Sequence, residues 1–191
     1  VTNIGTSTGA TTISAAVDAN VTEIIENSTT SALTVSGAVT TTGSKTFRNT
    51  SGGSLLTISG AVSGTGTVVL DNDSTLANGV TVSAGGINNS NTVTNSGSGT
   101  GSALISGVIG PLVTGVTQNS ATSQLNLSGN NTFTSGLTIK AGTVLGTVNA
   151  TAFGSGGSIT LGDSAGGSNA ATLLVGTTGL TIARPIVLAS N

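Results

Sequence analysis

The chain has no histidine, cysteine, tyrosine, tryptophan or methionine, only two prolines and three phenylalanines, and just ten charged side chains among 191 residues. Without imidazole, thiol or phenol groups, the histidine- and cysteine-based forms of nucleophilic, general-base and soft-metal chemistry have no donors. Cystine bridges are excluded as a source of stability. Lys45, Arg48, Lys140 and Arg184 against six acidic residues leave a formal net charge of −2, too little positive charge to neutralise a phosphate backbone, so no nucleic-acid partner is expected. The longest apolar clusters, such as Val68-Val69-Leu70, are strand-sized and far below the ~20 residues of a membrane-spanning helix. The chain opens at Val1 without an initiator Met or a basic-plus-apolar leader, which reads as a processed chain or a piece of a longer one.

What is present is small and polar. Thr (36), Gly (30), Ser (26) and Asn (17) supply 109 residues, accompanied by 18 Val, 16 Leu and 12 Ile. That aliphatic content is too high for a disordered tail. An apolar residue followed by Ser recurs at Ser14, Ser36, Ser59, Ser83, Ser106 and Ser128, at intervals of 22 to 24, and Gly follows four of these serines. A second apolar series, Ile25, Phe47, Val69, Val93, Val116, Ile139, Leu161 and Ile182, runs in step half a period away. Behind it comes an asparagine series, Asn27, Asn49, Asn72, Asn95 and Asn119. Three series at one period of ~23 residues define a structural rung.

The residue classes identify that rung. Val, Ile and Thr favour pleated strands, LTVSG and TISG alternate with period two, and the intervening Gly and Asn suit tight corners. No segment carries the i, i+3, i+4 spacing of a helix. The pattern predicts an all-β chain, a single parallel β-solenoid (β-helix) over residues 1–191 with about eight coils, which at ~4.8 Å per coil is a rod roughly 40 Å long. An antiparallel sandwich is the alternative, but it has no need of one period throughout. Phe47, Phe133 and Phe153 are expected as column fillers or coil-end caps, and the Asn series at one corner, its amides bonding up the stack. Glu26, Arg48, Asp71 and Lys140, close behind second-series residues, are expected to face solvent.

Residues 125–163 resemble the autotransporter-associated β-strand repeat of bacterial surface proteins. The resemblance lies in Leu125, Leu127 and Gly129, in Asn131-Thr132-Phe133-Thr134, in Gly136, Thr138 and Ile139, and in Ala141-Gly142-Thr143-Val144. Ala152-Phe153-Gly154-Ser155-Gly156 and Ile159-Thr160-Leu161-Gly162-Asp163 are similar to the segment that follows it. Ser135 stands where the family usually has Gly, and Lys140 where Asn is commoner. The resemblance implies a right-handed β-helix, secreted and displayed outside the cell, with no catalytic site. Residues 1–124 share only its rhythm.

The search for chemistry leaves no catalytic, cofactor-binding or metal residue to name. Asp71-Asn72-Asp73-Ser74 opens like a calcium loop, but an EF-hand needs Gly at loop position 6 and Glu at 12, where this chain has Leu76 and Val82. It reads as a solvated turn. Glu23 and Glu26, a candidate acid–base pair, are three apart and face opposite sides of a strand; a solvated edge is the plainer reading. Eight Asn-x-Ser/Thr sequons (Asn20, Asn27, Asn49, Asn72, Asn88, Asn126, Asn130, Asn149) barely exceed what the composition gives. The Thr-x-Thr pairs do not keep the coil period, which argues against an ice-binding face. Gly85 to Asn91 and Ser164 to Ala170 are the candidate ligand loops. No capping helix or charged terminal coil covers either end. The expectation is therefore a non-enzymatic extracellular filament, stalk or coat element that self-associates end to end. An adhesin or carbohydrate-binding module touching a cell surface or polysaccharide is the alternative, and an ice-binding solenoid the third reading.

Overall fold

A computed structural model describes residues 1–50, 52–165 and 167–189. The first turn contains β1 (Thr2–Asn3) and β2 (Thr11–Ile13), and the second β3 (Glu23–Glu26), β4 (Leu33–Val35) and β5 (Val39–Thr41). The third holds β6 (Lys45–Asn49), β7 (Leu56–Ile58) and β8 (Val62–Gly64), and the fourth β9 (Val68–Asn72), β10 (Val80–Val82) and β11 (Ile87–Asn89). Then come β12 (Thr92–Asn95) with β13 (Ala103–Ile105), β14 (Gly115–Asn119) with β15 (Leu125–Leu127), and the long β16 (Leu137–Gly146), which turns a corner without breaking. Finally, β17 (Ile159–Leu161) and β18 (Ala171–Val175) form the eighth turn, and β19 (Ile186–Leu188) opens a ninth.

Each strand pairs in parallel with its equivalents one turn away, so the chain is a β-solenoid of about eight coils with ~23 residues per turn. Its first face stacks β1, β3, β6, β9, β12, β14, the start of β16, β17 and β19; its second stacks β2, β4, β7, β10, β13, β15, the end of β16 and β18. The third is β5, β8 and β11, extended by the bridges Val17↔Val39 and Ile87↔Ile109.

Period-two alternation within strands and strict register between them turn the sequence repeat into columns. On the second face Ile13, Val35, Ile58, Val82, Ile105 and Leu127 stand in one inward column. All but Ile13, in the first turn, are fully buried, and each such aliphatic contributes about 1.5–3 kcal/mol by leaving water. Phe47, Phe133 and Phe153 are fully buried in the same core.

The first face corrects the second apolar series. Ile24 and Leu70 join Phe47 in the inward column, while Ile25 and Val69 point outward. Where two apolar residues are adjacent, composition does not say which faces in, and one residue of slip exchanges the faces. Ile182 lies between strands; Ile186 pairs with Ile159 as the next rung.

Candidate functional site

The corner between the first and second faces is lined inside by polar residues. Asn3, Glu26, Asn49 and Asn72 occupy one in-register column. A shift then sets Asn95 opposite Leu70, and Gln118 stacks on Asn95. Asn49 Nδ2 donates to the carbonyls of Ser54 (2.7 Å) and, one turn on, Gly79 (2.8 Å). Asn72 does the same for Leu76 and Ser102, and Asn95 Nδ2 donates to Ser123 O and to Gln118 Oε1, each at 2.8 Å. Each amide ties its own corner to the next coil, satisfying carbonyls that the turn points away from water.

Of the expected ladder, Asn49, Asn72 and Asn95 are buried here, whereas Asn27 and Asn119 are exposed and Glu26 and Gln118 take their inward places. Asn27 instead accepts a hydrogen bond from Thr50 Oγ1 at 2.7 Å. Strand alternation decides this: only one of two consecutive polar residues can face inward. Glu26 is consequently fully buried rather than solvated, held by Asn3 Nδ2 (2.9 Å) and the Ser28 amide (2.6 Å).

At the corner between the second and third faces, Ser14, Ser36, Ser59, Ser83, Ser106 and Ser128 lie on the outer side, exposed or half-buried. The glycines after them explain the motif. A Cβ on Gly37, Gly60 or Gly107 would fall on a backbone carbonyl of the coil below, so these corners stack backbone on backbone. In the fourth coil Ala84 stays exposed and Gly85 takes the close position.

Beside the serines runs an outward column that the Thr-x-Thr pairs did not reveal, Thr12, Thr34, Thr57 and Thr81. Its signal in the sequence is Thr-x-Ser at the coil period. Strands β2, β4, β7, β10, β13, β15 and β18 of this face carry no charge.

Charge gathers on the first face. Arg48 donates to Asp71 (Nε–Oδ2 2.8 Å; Nη2–Oδ2 2.7 Å) and lies 3.8 Å from Glu23 and 3.9 Å from Asp73. Burial pushes the Asp71 carboxyl up against the opposing pull of Arg48. Burial acts in the same sense on Asp73, but hydrogen bonds from Ser98 outweigh it and hold that carboxyl below its ordinary value. The segment 71–74 is thus not a solvated turn: of its four residues only Asp73 is exposed. Glu23 and Glu26 do lie on opposite sides of β3. Lys140 pairs with Asp163 at 3.6 Å.

Two cations serve the corner between the third and first faces. Lys45, 1% exposed, donates Nζ to the carbonyls of Asp18 and Val21 one coil below. Arg184 donates to the carbonyls of Gly157 and Ser158, each at 3.2 Å, and its guanidinium lies 5.5 Å from the Phe133 ring centre. Burial lowers the proton affinity of both. Of the two candidate ligand loops, Gly85 to Asn91 contains β11, a third-face strand, while 164–170 is an exposed connection between β17 and β18 in its described residues.

The outermost layers differ from the interior. Among the described residues, β1 and β2 at one end, and β18 and β19 at the other, each have a strand neighbour on one side only. Ile186 and Leu188 continue columns whose inner members Leu137, Ile139 and Ile159 are fully buried, yet are themselves 51% and 80% exposed. Val175 is 40% exposed on the second face, and Val1 is 51% exposed at the opposite end. A cavity of about 310 Å³ near the β18–β19 end is lined by Val148, Asn149, Thr177, Thr178, Leu180 and Thr181. Comparisons with protein-family models, with curated proteins and with solved structures find no match.

Proposed function

We propose that this β-solenoid is a non-enzymatic structural element of an extracellular filament, stalk or surface coat, built by stacking solenoid ends head to tail. The observation that carries this reading is the coil-on-coil stack itself, in which every turn adds parallel strands to the same faces, an architecture that lengthens by adding layers. Among the described residues Ile186, Leu188 and Val175 continue core columns and are exposed, and exposed strand edges of this kind pair with whatever strand is offered. Unlike ends meeting head to tail make a heterologous contact that propagates into an open filament. The absence of Met, Cys and Trp suits long residence in an oxidising exterior. The resemblance of residues 125–163 to a bacterial surface-protein repeat agrees with that location.

Electron microscopy of native material tests the reading. It should show filaments with an axial repeat near the roughly 40 Å of eight coils; discrete short rods at high concentration would overturn it. A second reading, an adhesive module engaging an extended hydroxylated or ice-like surface, is favoured by the uncharged threonine–serine array of the second face. Replacing Thr34, Thr57 and Thr81 with Lys should abolish binding to such a surface and leave filaments intact.

A further inference from the structure

We propose that Asn78 is a site of self-modification by deamidation, held closed in the folded chain by a hydrogen-bonded clasp that spans three coils. Asparagine is chemically labile, and of the 17 in this chain only Asn78 is followed by glycine. The neighbour matters because its backbone nitrogen is the attacking atom, and a residue without a Cβ obstructs that attack least.

The step needs only water. Gly79 N bonds to Asn78 Cγ and gives up its proton, and the side-chain nitrogen leaves as ammonia, closing a cyclic imide. Water adding at Cγ reopens the ring to aspartate. Water adding at the main-chain carbonyl carbon gives isoaspartate, whose main chain runs through Cβ and Cγ.

The fold opposes each part of the attack. Gly79 N donates to Leu76 O at 3.1 Å, so the proton that must be lost is engaged in the turn. Asn78 holds φ at +56°, a conformation that suits Asn at the third position of such a turn. Its Oδ1 accepts from Ser102 Oγ (2.9 Å) one coil on and from Asn126 Nδ2 (2.8 Å) two coils on. Ser102 Oγ in turn accepts from Asn78 N (2.8 Å), and Thr81 Oγ1 donates to Asn78 O (3.0 Å). The attack breaks the turn bond and swings the amide off both donors, so it waits on a local opening of this corner.

The product disturbs the stack. Gly79 O accepts from buried Asn49 Nδ2 (2.8 Å) and from Leu56 N (2.9 Å), and a Cβ on Gly79 would lie 2.6 Å from Asn72 Oδ1. Isoaspartate inserts a main-chain carbon here, immediately before β10, where that packing leaves no room for it. Two donors that tie the third coil to the fourth then lose their acceptor. Asn78 thereby limits the chemical lifetime of the fold.

The test compares the full natural chain in buffer and in guanidinium, both made with heavy-oxygen water at one pH and temperature. After digestion, mass spectrometry locates each new acid by its incorporated oxygen. In guanidinium the first and dominant conversion should fall at Asn78, and in buffer it should run at least about tenfold slower. Conversion in guanidinium spread over the other asparagines without preference overturns the site, and equal rates in the two solvents overturn its closure by the fold. Ser102→Ala and Asn126→Ala separate the clasp from the turn, with circular dichroism checking that each variant folds. Each should speed conversion in buffer several-fold and leave it unchanged in guanidinium. Folded variants that convert no faster than the natural chain would show that the turn alone protects Asn78, and would overturn the cross-coil clasp.

Discussion

A single side chain in this fold is worth what its column makes of it. Asn27 and Asn49 sit at the same point of successive repeats, yet Asn49 is fully buried with two carbonyls on its amide while Asn27 is exposed with one hydroxyl partner. Asn49→Ala should therefore destabilise by about 2–4 kcal/mol, since two buried acceptors lose their donor, and Asn27→Ala by about 0.5 kcal/mol or less. Urea unfolding of the two variants separates the cases, and equal losses would contradict the column assignment. Lys45 gives a pH test. Its amine titrates at 10.5 in the unfolded chain and lower in the folded one, because burial disfavours the ammonium and the Asp18 carboxylate offsets this only in part. Between the two values the unfolded chain binds the extra proton, so stability rises with pH in the alkaline window up to 10.5. With no Cys, Tyr or His to titrate nearby, the unfolding midpoint should climb there in the natural protein, and the climb should be much weaker in Lys45→Met. Parallel curves would refute it.

At the level of strands and corners, the sequence states the period plainly and the facing ambiguously. The coil-to-coil intervals from the first turn to the sixth could be read from the Ser series, because register forces equivalent residues into one column; the last turns, where Gly146 and Val175 continue the column of apolar residues ahead of those serines, carry no member of the series. The inward choice between Ile24 and Ile25, or between Val69 and its neighbours, could not, because both candidates are apolar and only the pairing with Phe47 resolves it. Buried Glu26 and Lys45 were illegible for a related reason. Their partners are an amide one coil away and two corner carbonyls, groups that composition does not place. The Ser-Gly corners were legible as a motif and opaque as a cause until the carbonyl beneath each glycine was located. Gly107→Ala would place a methyl on the carbonyl of Ser83, whereas a Cβ on Gly43 meets nothing within 4 Å. The first change should cost about 1–3 kcal/mol as overpacking and the second almost nothing. A comparable loss at Gly43 would mean that backbone freedom, rather than the close approach, sets the glycine requirement.

The molecule as a whole is a one-dimensional stack in which each coil touches mainly the coils above and below, so its stability should be nearly a sum of coil and interface terms. That makes an entire coil removable where half a coil is not. Val93 and Val116 are register partners, as are Asn95 and Gln118, so deleting residues 93–115 brings Val116 to the place of Val93 and Gln118 opposite Leu70, where Asn95 stood. Leu125 and Leu127 then follow Val80 and Val82 in the second-face columns that Ala103 and Ile105 had filled. No charged residue is lost. The shortened chain should fold with the same circular dichroism shape and unfold with a denaturant slope about one-eighth smaller, because the slope scales with the surface exposed. Deleting residues 93–103 instead would carry strand residues of one face into the position of another and break every column above the cut, and that variant should not fold. If both deletions behaved alike, the coil would not be the unit of stability.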